Sequence, residues 1–127
     1  MRIIAITGLI YSRKDFTEKQ VCVITGGAGV IGSVLAEGLG RAGVKMAILD
    51  IDEQQAAKIA EQVKTNTGME ATGFKANVLD KESLMEAREK INTRFGTVDF
   101  LINGAGGNSP KATTQIEQIT DLEELDK

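Results

Sequence analysis

Val21-Cys22-Val23-Ile24-Thr25-Gly26-Gly27-Ala28-Gly29-Val30-Ile31-Gly32 is the stretch whose reading decides the fold. Its first four residues are an apolar run of strand length. Four glycines in seven residues make a turn, and helical periodicity begins behind them. Strand, glycine turn and helix together form the geometry that receives a dinucleotide pyrophosphate. Backbone without Cβ approaches phosphate closely, at Gly26, Gly27 and Gly29. The N–H groups at the start of the helix, at Val30, Ile31 and Gly32, then face the anion, and the helix dipole favours negative charge there. Gly27, Gly29 and Gly32 satisfy G-x-G-x-x-G as written. Gly27 and Gly29 read as the places where backbone meets pyrophosphate, and Gly32 as the place where helix meets sheet. The alternative is a tight turn with no ligand.

A second signal lies downstream. Val44 to Leu49 is apolar apart from Lys45 and ends in Asp50, eighteen residues after Gly32. A carboxylate at the end of a second strand accepts hydrogen bonds from the adenosine ribose and repels the added phosphate of NADP. Asp50 therefore argues for NAD, and Ile51 supplies no basic residue beside it. The competing role for Asp50 is helix capping. Asp52 suits that role better, since Asp52 and Gln55 have capping-box spacing ahead of Ala56, Ile59, Ala60 and Val63.

The rest of the chain alternates strictly. A first helix is expected from Gly29 to Ala42, with Val34, Leu35, Gly38, Leu39 and Ala42 at helical spacing. A second helix is expected from Asp52 to Thr67, ended by Gly68. Glu70 to Val78 reads as a third strand. Asp80 is a suitable N-cap for a third helix with a buried face of Leu84, Ala87, Ile91 and Phe95. Val98 to Ile102 reads as a fourth, buried strand. Such alternation implies a Rossmann-type α/β fold, a parallel sheet of about four strands with helices on both faces.

Composition narrows the function. The 127 residues suffice for one modest domain, and 42% of them are hydrophobic. A net charge of −3 and 4% aromatics suggest neither a nucleic-acid surface nor a base-stacking platform. The chain has no histidine, so it holds no Ser-His-Asp triad and no His-based metal site. The single cysteine, Cys22, reads as a buried apolar residue and suits a reducing, cytoplasmic compartment. No run approaches the roughly 18 apolar residues of a membrane span. Residues 1–15 read as an N-terminal arm or extra strand of no assigned role, without a signal-peptide cleavage site.

At the end of the fourth strand stands Asn103-Gly104-Ala105-Gly106. Together with Thr25-Gly26, Gly32 and Asp50, it resembles the short-chain dehydrogenase/reductase family over about residues 16–127. The resemblance implies strand order 3-2-1-4, NAD as cofactor, a homo-oligomer, and Asn103, Ala105 and Gly106 beside the adenosine and ribose. Three departures stand out. Val30 occupies a position where the family usually has glycine, and Gly29 comes one residue earlier. Asn77-Val78 replaces the family's Asp-Val. The Asn77 amide oxygen can still accept from the adenine amino group, with the Val78 N–H on the ring. The third departure concerns catalysis. The family's Ser and Tyr-x-x-x-Lys follow the fourth strand, and no such pair occurs here. The only tyrosine, Tyr11, precedes the glycine motif, with Lys14 at the wrong spacing.

No catalytic residue is therefore assigned. Residues 16–108 read as the dinucleotide-binding domain, and the polar stretch 109–127 as the start of a catalytic half. In the family a further strand would cover the outer edge of strand four, so here that edge is expected to be bare unless the polar stretch 109–127 covers it. Gly106-Gly107-Asn108-Ser109-Pro110-Lys111-Ala112-Thr113-Thr114 is similar to the branch that interconverts mannonate and fructuronate, where Asn108 or Lys111 would hold a carboxylate; a solvated loop is the other reading. The resemblance implies an NAD-dependent oxidoreductase acting on an alcohol, ketone or sugar acid. A non-catalytic NAD(H)-binding module is the alternative, and a flavin or nucleoside-diphosphate binder a weaker third.

Overall fold

The computed structural model describes residues 2–4 and 20–106. The elements in chain order are β1 (Arg2–Ile4), β2 (Val21–Thr25), α1 (Val30–Arg41), β3 (Lys45–Asp50), α2 (Glu53–Thr67), β4 (Ala71–Lys75), α3 (Lys81–Phe95) and β5 (Phe100–Asn103). The strands form one sheet in the order β1-β5-β2-β3-β4, with every pairing parallel. Within it, β4-β3-β2-β5 is the expected order 3-2-1-4. The direction of winding reverses between β2 and β5, which opens a crevice at the carboxyl ends of those strands.

Side chains alternate across the sheet with period two. Cys22, Ile24, Met46, Ile48, Phe100 and Ile102 face α1 and α2, whose Ala36, Leu39, Ala56, Ile59, Ala60 and Val63 complete that core. Val23, Ala47 and Leu49 face the other way, toward Ala87 and Ile91 of α3. Helices thus cover both faces, as parallel strands require. α3 leaves beside it a groove of about 850 Å³, bordered by Val23, Leu84, Ile91, Val98 and Leu101.

Helix ends follow local chemistry. Asp52 caps α2 by accepting from the Gln55 N–H, and Gly68 closes it in the left-handed region at φ 73°. Asp80 caps α3 by accepting from the Glu82 N–H. At the opposite end of the sheet, Glu70 pairs with Lys45 at 3.7 Å and Arg94 at 3.2 Å, tying the starts of β3 and β4 to the end of α3.

Several boundaries and faces differ from expectation. β4 stops at Lys75 and β5 starts at Phe100. On α3, Ala87 and Ile91 are buried, whereas Leu84 and Phe95 are half-buried at the rim. The buried stripe of α1 is Gly32, Ala36, Leu39 and Gly40, and Val34 is 68% exposed. That stripe has offsets of four, seven and eight residues and is mostly small, so the helix lies close on its neighbours. A Cβ at Gly40 would come within 3.1 Å of Val63 and 3.0 Å of Thr67 on α2.

Of the two readings of the N-terminal segment, residues 2–4 take that of an extra strand. β1 pairs with the outer side of β5 in the register Arg2↔Phe100, Ile3↔Leu101, Ile4↔Ile102, so the edge expected to be bare is covered. An open edge beside apolar β5 would be a template for association. Deleting residues 1–19 should therefore cause concentration-dependent self-association, read by sedimentation velocity; a monodisperse monomer over the range where the parent is monomeric would contradict this.

Burial also settles the state of Cys22. It is fully buried, and desolvation pushes its thiol up to about 12, from an ordinary value of 9.0. The thiolate is the reactive form. Iodoacetamide at pH 8 should leave Cys22 unmodified in the folded protein and label it in denaturant, as mass spectrometry would show.

Candidate functional site

The carboxyl ends of β2, β3, β4 and β5 lie along one edge of the sheet, because all four strands run parallel. Four segments meet that edge: the glycine turn, Asp50-Ile51, Asn77-Val78 and Asn103 to Gly106.

The turn is set by contacts that exclude side chains. Gly26 has φ 65°, and a Cβ there would lie 2.7 Å from the Gly104 carbonyl oxygen and 2.8 Å from Ala105 Cα. Only glycine accepts both the left-handed backbone and that approach. The same two segments are stitched by Thr25, whose buried Oγ1 accepts from the N–H groups of Gly104 and Ala105, each at 3.1 Å. In the sequence Thr25 is marked only as part of the Thr25-Gly26 pair. Its position, a hydroxyl at the end of an apolar strand, was the available signal, but its partners lie 79 and 80 residues away.

The glycines differ in what surrounds them. Gly27 is buried: a Cβ would meet Ile48 at 2.6 Å, and its N–H donates to the Leu49 carbonyl at 3.1 Å. That donor is therefore already paired within the protein, and the close packing leaves no room for a side chain. Gly32 abuts the turn rather than the sheet, since its Cβ would run into the Gly26 carbonyl and Gly27 Cα. Gly29 is the open one. It is the N-cap of α1 with φ −75°, its N–H donates to the Gly26 carbonyl at 3.1 Å, and its Cβ would have the Gly26 oxygen at 3.3 Å as sole close neighbour.

α1 differs from the other two helices at its start. It has no capping side chain and no acid in its first turn. Its leading N–H groups, at Val30, Ile31 and Gly32, have no intrahelical acceptor by construction. Val30 and Ile31 are also exposed, at 85% and 62%. An anion is the natural complement of such an end.

Asp50 ends β3, half-buried. Its Oδ2 accepts from the Ala28 N–H at 3.1 Å and its Oδ1 from the Asp52 N–H at 3.1 Å. Each carboxylate oxygen keeps acceptor capacity beyond those bonds. Ile51 beside it is exposed. The capping of α2 itself belongs to Asp52.

Asn77 is more committed than the sequence suggested. Its Oδ1 accepts from the Leu79 N–H at 3.0 Å, closing a local turn, and its N–H donates to Ser83 Oγ at 3.0 Å. Val78 is 39% exposed at this edge. Asn103 and Gly106 are exposed, with Gly104 and Ala105 half-buried behind the turn. Asn108, Lys111 and Tyr11 lie outside the described residues. No group of three or more potential metal ligands occurs among the described residues, and no helix of theirs is long and apolar enough to cross a membrane.

Residues 20–125 match the family model described as short chain dehydrogenase, and the chain belongs to that family. An uncharacterized oxidoreductase of Haemophilus influenzae is 45% identical over 100 residues, covering 79% of this chain and 35% of its relative. A solved structure from Haemophilus influenzae, assigned as a D-mannonate oxidoreductase with bound NAD, superposes with a TM-score of 0.74 at 40% identity. It covers 91% of this chain and 44% of that one. An alcohol dehydrogenase of the archaeon Thermococcus sibiricus, complexed with 5-hydroxy-NADP, gives a TM-score of 0.62 at 33% identity, over 65% of this chain and 35% of that one. The chain thus spans about a third of the length of its curated relative.

The geometry separates two substitutions. Gly32→Val should destabilise the fold by about 1–3 kcal/mol, as overpacking does, and lower the melting temperature. Gly29→Val, at ordinary φ and in open space, should leave the melt near the parent's. Equal melts for both would contradict the packing role of Gly32. Thr25→Val should cost about 1–3 kcal/mol by stranding two N–H groups.

Proposed function

We propose that this chain is the nucleotide-binding part of an NAD-dependent oxidoreductase that transfers hydride between an alcohol and a ketone. A sugar acid of the mannonate/fructuronate kind is the proposed substrate. The observation that carries the reading is the start of α1, uncapped and acid-free, with the Asp50 carboxylate at the neighbouring strand end. An N-terminus of this kind suits the pyrophosphate. Val30, Ile31 and Gly32 would donate to it, with Gly29 leaving room for it. Gly26 and Gly27 would hold the turn in shape. The Asp50 carboxylate, with acceptor capacity left on both oxygens, would take the ribose hydroxyls. Ile51 and Val78 would flank the adenine, with Asn77 beside it, and Asn103, Ala105 and Gly106 would line the crevice toward the ribose. The bound nicotinamide would supply the hydride chemistry; these residues bind and orient it.

The choice of NAD rests on charge. A carboxylate at the ribose end opposes a 2′-phosphate, and Ile51 offers no compensating cation. The sugar-acid substrate rests on the likeness to the D-mannonate oxidoreductase structure and its NAD. A non-catalytic NAD(H)-binding module is the competing reading. A soluble homo-oligomer in the cytoplasm fits both.

Titration with NADH and NADPH, followed by nucleotide fluorescence, tests the assignment. NADH should bind more tightly, and Asp50→Ala should narrow the gap by roughly 1–3 kcal/mol. Equal or tighter NADPH binding by the parent would overturn the choice of NAD. Gly29→Val should abolish NADH binding while the fold persists; parent-like binding would reduce the turn to a turn. The 127 residues alone should show no turnover with NAD and mannonate or simple alcohols. Turnover that survives Tyr11→Phe would show that they hold a catalytic group of their own.

A further inference from the structure

Asp50 is bonded into the turn that presents α1, and a ribose ligand has no need of that. Its Oδ2 accepts from the Ala28 N–H, in the middle of the glycine turn and 22 residues earlier in the chain. Its Oδ1 accepts from the Asp52 N–H at 3.1 Å, which fixes the carboxylate plane from the other side. The turn is otherwise joined to β3 by the Gly27 N–H on the Leu49 carbonyl. Of the turn's consecutive N–H groups, those of Gly27, Ala28 and Gly29 all have protein acceptors: Leu49 O, Asp50 Oδ2 and Gly26 O. The first-turn donors of α1 that follow have no intrahelical acceptor. Among the turn's acceptors, the Asp50 carboxylate alone is a side chain, and it is the charged one.

We propose that Asp50 is a positioning residue for phosphate recognition. By holding the Ala28 N–H it keeps the glycine turn closed, and so keeps the Val30 and Ile31 N–H groups aimed at the pyrophosphate. This role is separate from any contact with the ribose and rests on the nucleotide-binding reading of the site. Apparent affinity scales with the fraction of molecules whose turn is closed. Loss of a charge-assisted bond to that turn lowers this fraction. Asp50 thereby couples the two ends of the site: the carboxylate that meets the ribose diol also shapes the seat of the phosphates.

Ligands lacking the diol separate the two roles. Binding of ADP and of 2′,3′-dideoxy-ADP is measured calorimetrically on the full chain, for the parent, Asp50→Ala and Asp50→Asn. Amide exchange at Ala28 is followed by NMR on the same proteins. Dideoxy-ADP can donate no ribose hydroxyl to Asp50. If Asp50 positions the turn, Asp50→Ala weakens dideoxy-ADP by about tenfold or more, the scale of one charge-assisted bond, and Ala28 exchanges faster. Asp50→Asn, whose carbonyl oxygen can still accept from Ala28, recovers part of the dideoxy-ADP affinity. If Asp50→Ala binds dideoxy-ADP as the parent does, or Ala28 exchange is unchanged, the positioning role is overturned. Should Asp50→Ala fail to fold, Asp50→Asn decides alone: Ala28 exchange and dideoxy-ADP affinity between those of the parent and no binding support the role, and parent-like values of both overturn it. A parent that binds neither nucleotide would instead remove the nucleotide-binding reading, and Ala28 exchange would still report on the brace.

Discussion

The Gly26 backbone leaves no room for a side chain against Gly104 and Ala105, and the carboxyl edge of the sheet is organised around that contact. It forces glycine at one position. It brings the loop after β5 onto the turn after β2. It also places the Thr25 hydroxyl under two N–H groups that would otherwise have no partner. The two strands between which the winding reverses are thus locked together at their ends. A crevice at that point keeps its shape because both of its walls are bonded to each other.

From this lock the order extends outward. The turn is joined to β3 by Gly27 and Ala28, and Gly32 rests against its underside. α1 therefore starts from a fixed point, with its first N–H groups free. The small residues along its buried side let it lie close to the rest of the fold, and Gly40 meets α2 without a side chain between them. Polar satisfaction is complete below this edge: no buried side-chain nitrogen or oxygen lacks a partner among the described residues. The exposed apolar groups Val30, Ile31, Ile51 and Val78 follow the carboxyl ends of β2, β3 and β4, the side on which open α/β sheets bind their ligands.

Family membership rests on a match over residues 20–125. The chemistry of the site rests on a handful of backbone donors and one carboxylate. The segment preceding the match contributes something the family reading did not anticipate, a strand on the outer edge of β5.

Much of the architecture was legible in the amino-acid order. Alternating apolar runs and helical stripes gave the four central strands, the three helices and their parallel arrangement. Asp52, Asp80 and Gly68 marked helix ends correctly because a cap acts on N–H or C=O groups a few residues away. Such signals are local, so the sequence carries them whole. Other features depend on residues distant in sequence. The phase of α1 depends on which face must pass closest to its neighbours, and Val34 lost that position to smaller residues. The separate roles of Gly27, Gly29 and Gly32 depend on what surrounds each missing Cβ. The bonds of Asp50 to Ala28, and of Thr25 to Gly104 and Ala105, span 22, 79 and 80 residues. Spacing along the chain specifies the residues available for such contacts. Only the folded sheet decides which of them meet, because the crossovers bring distant strand ends to a common edge.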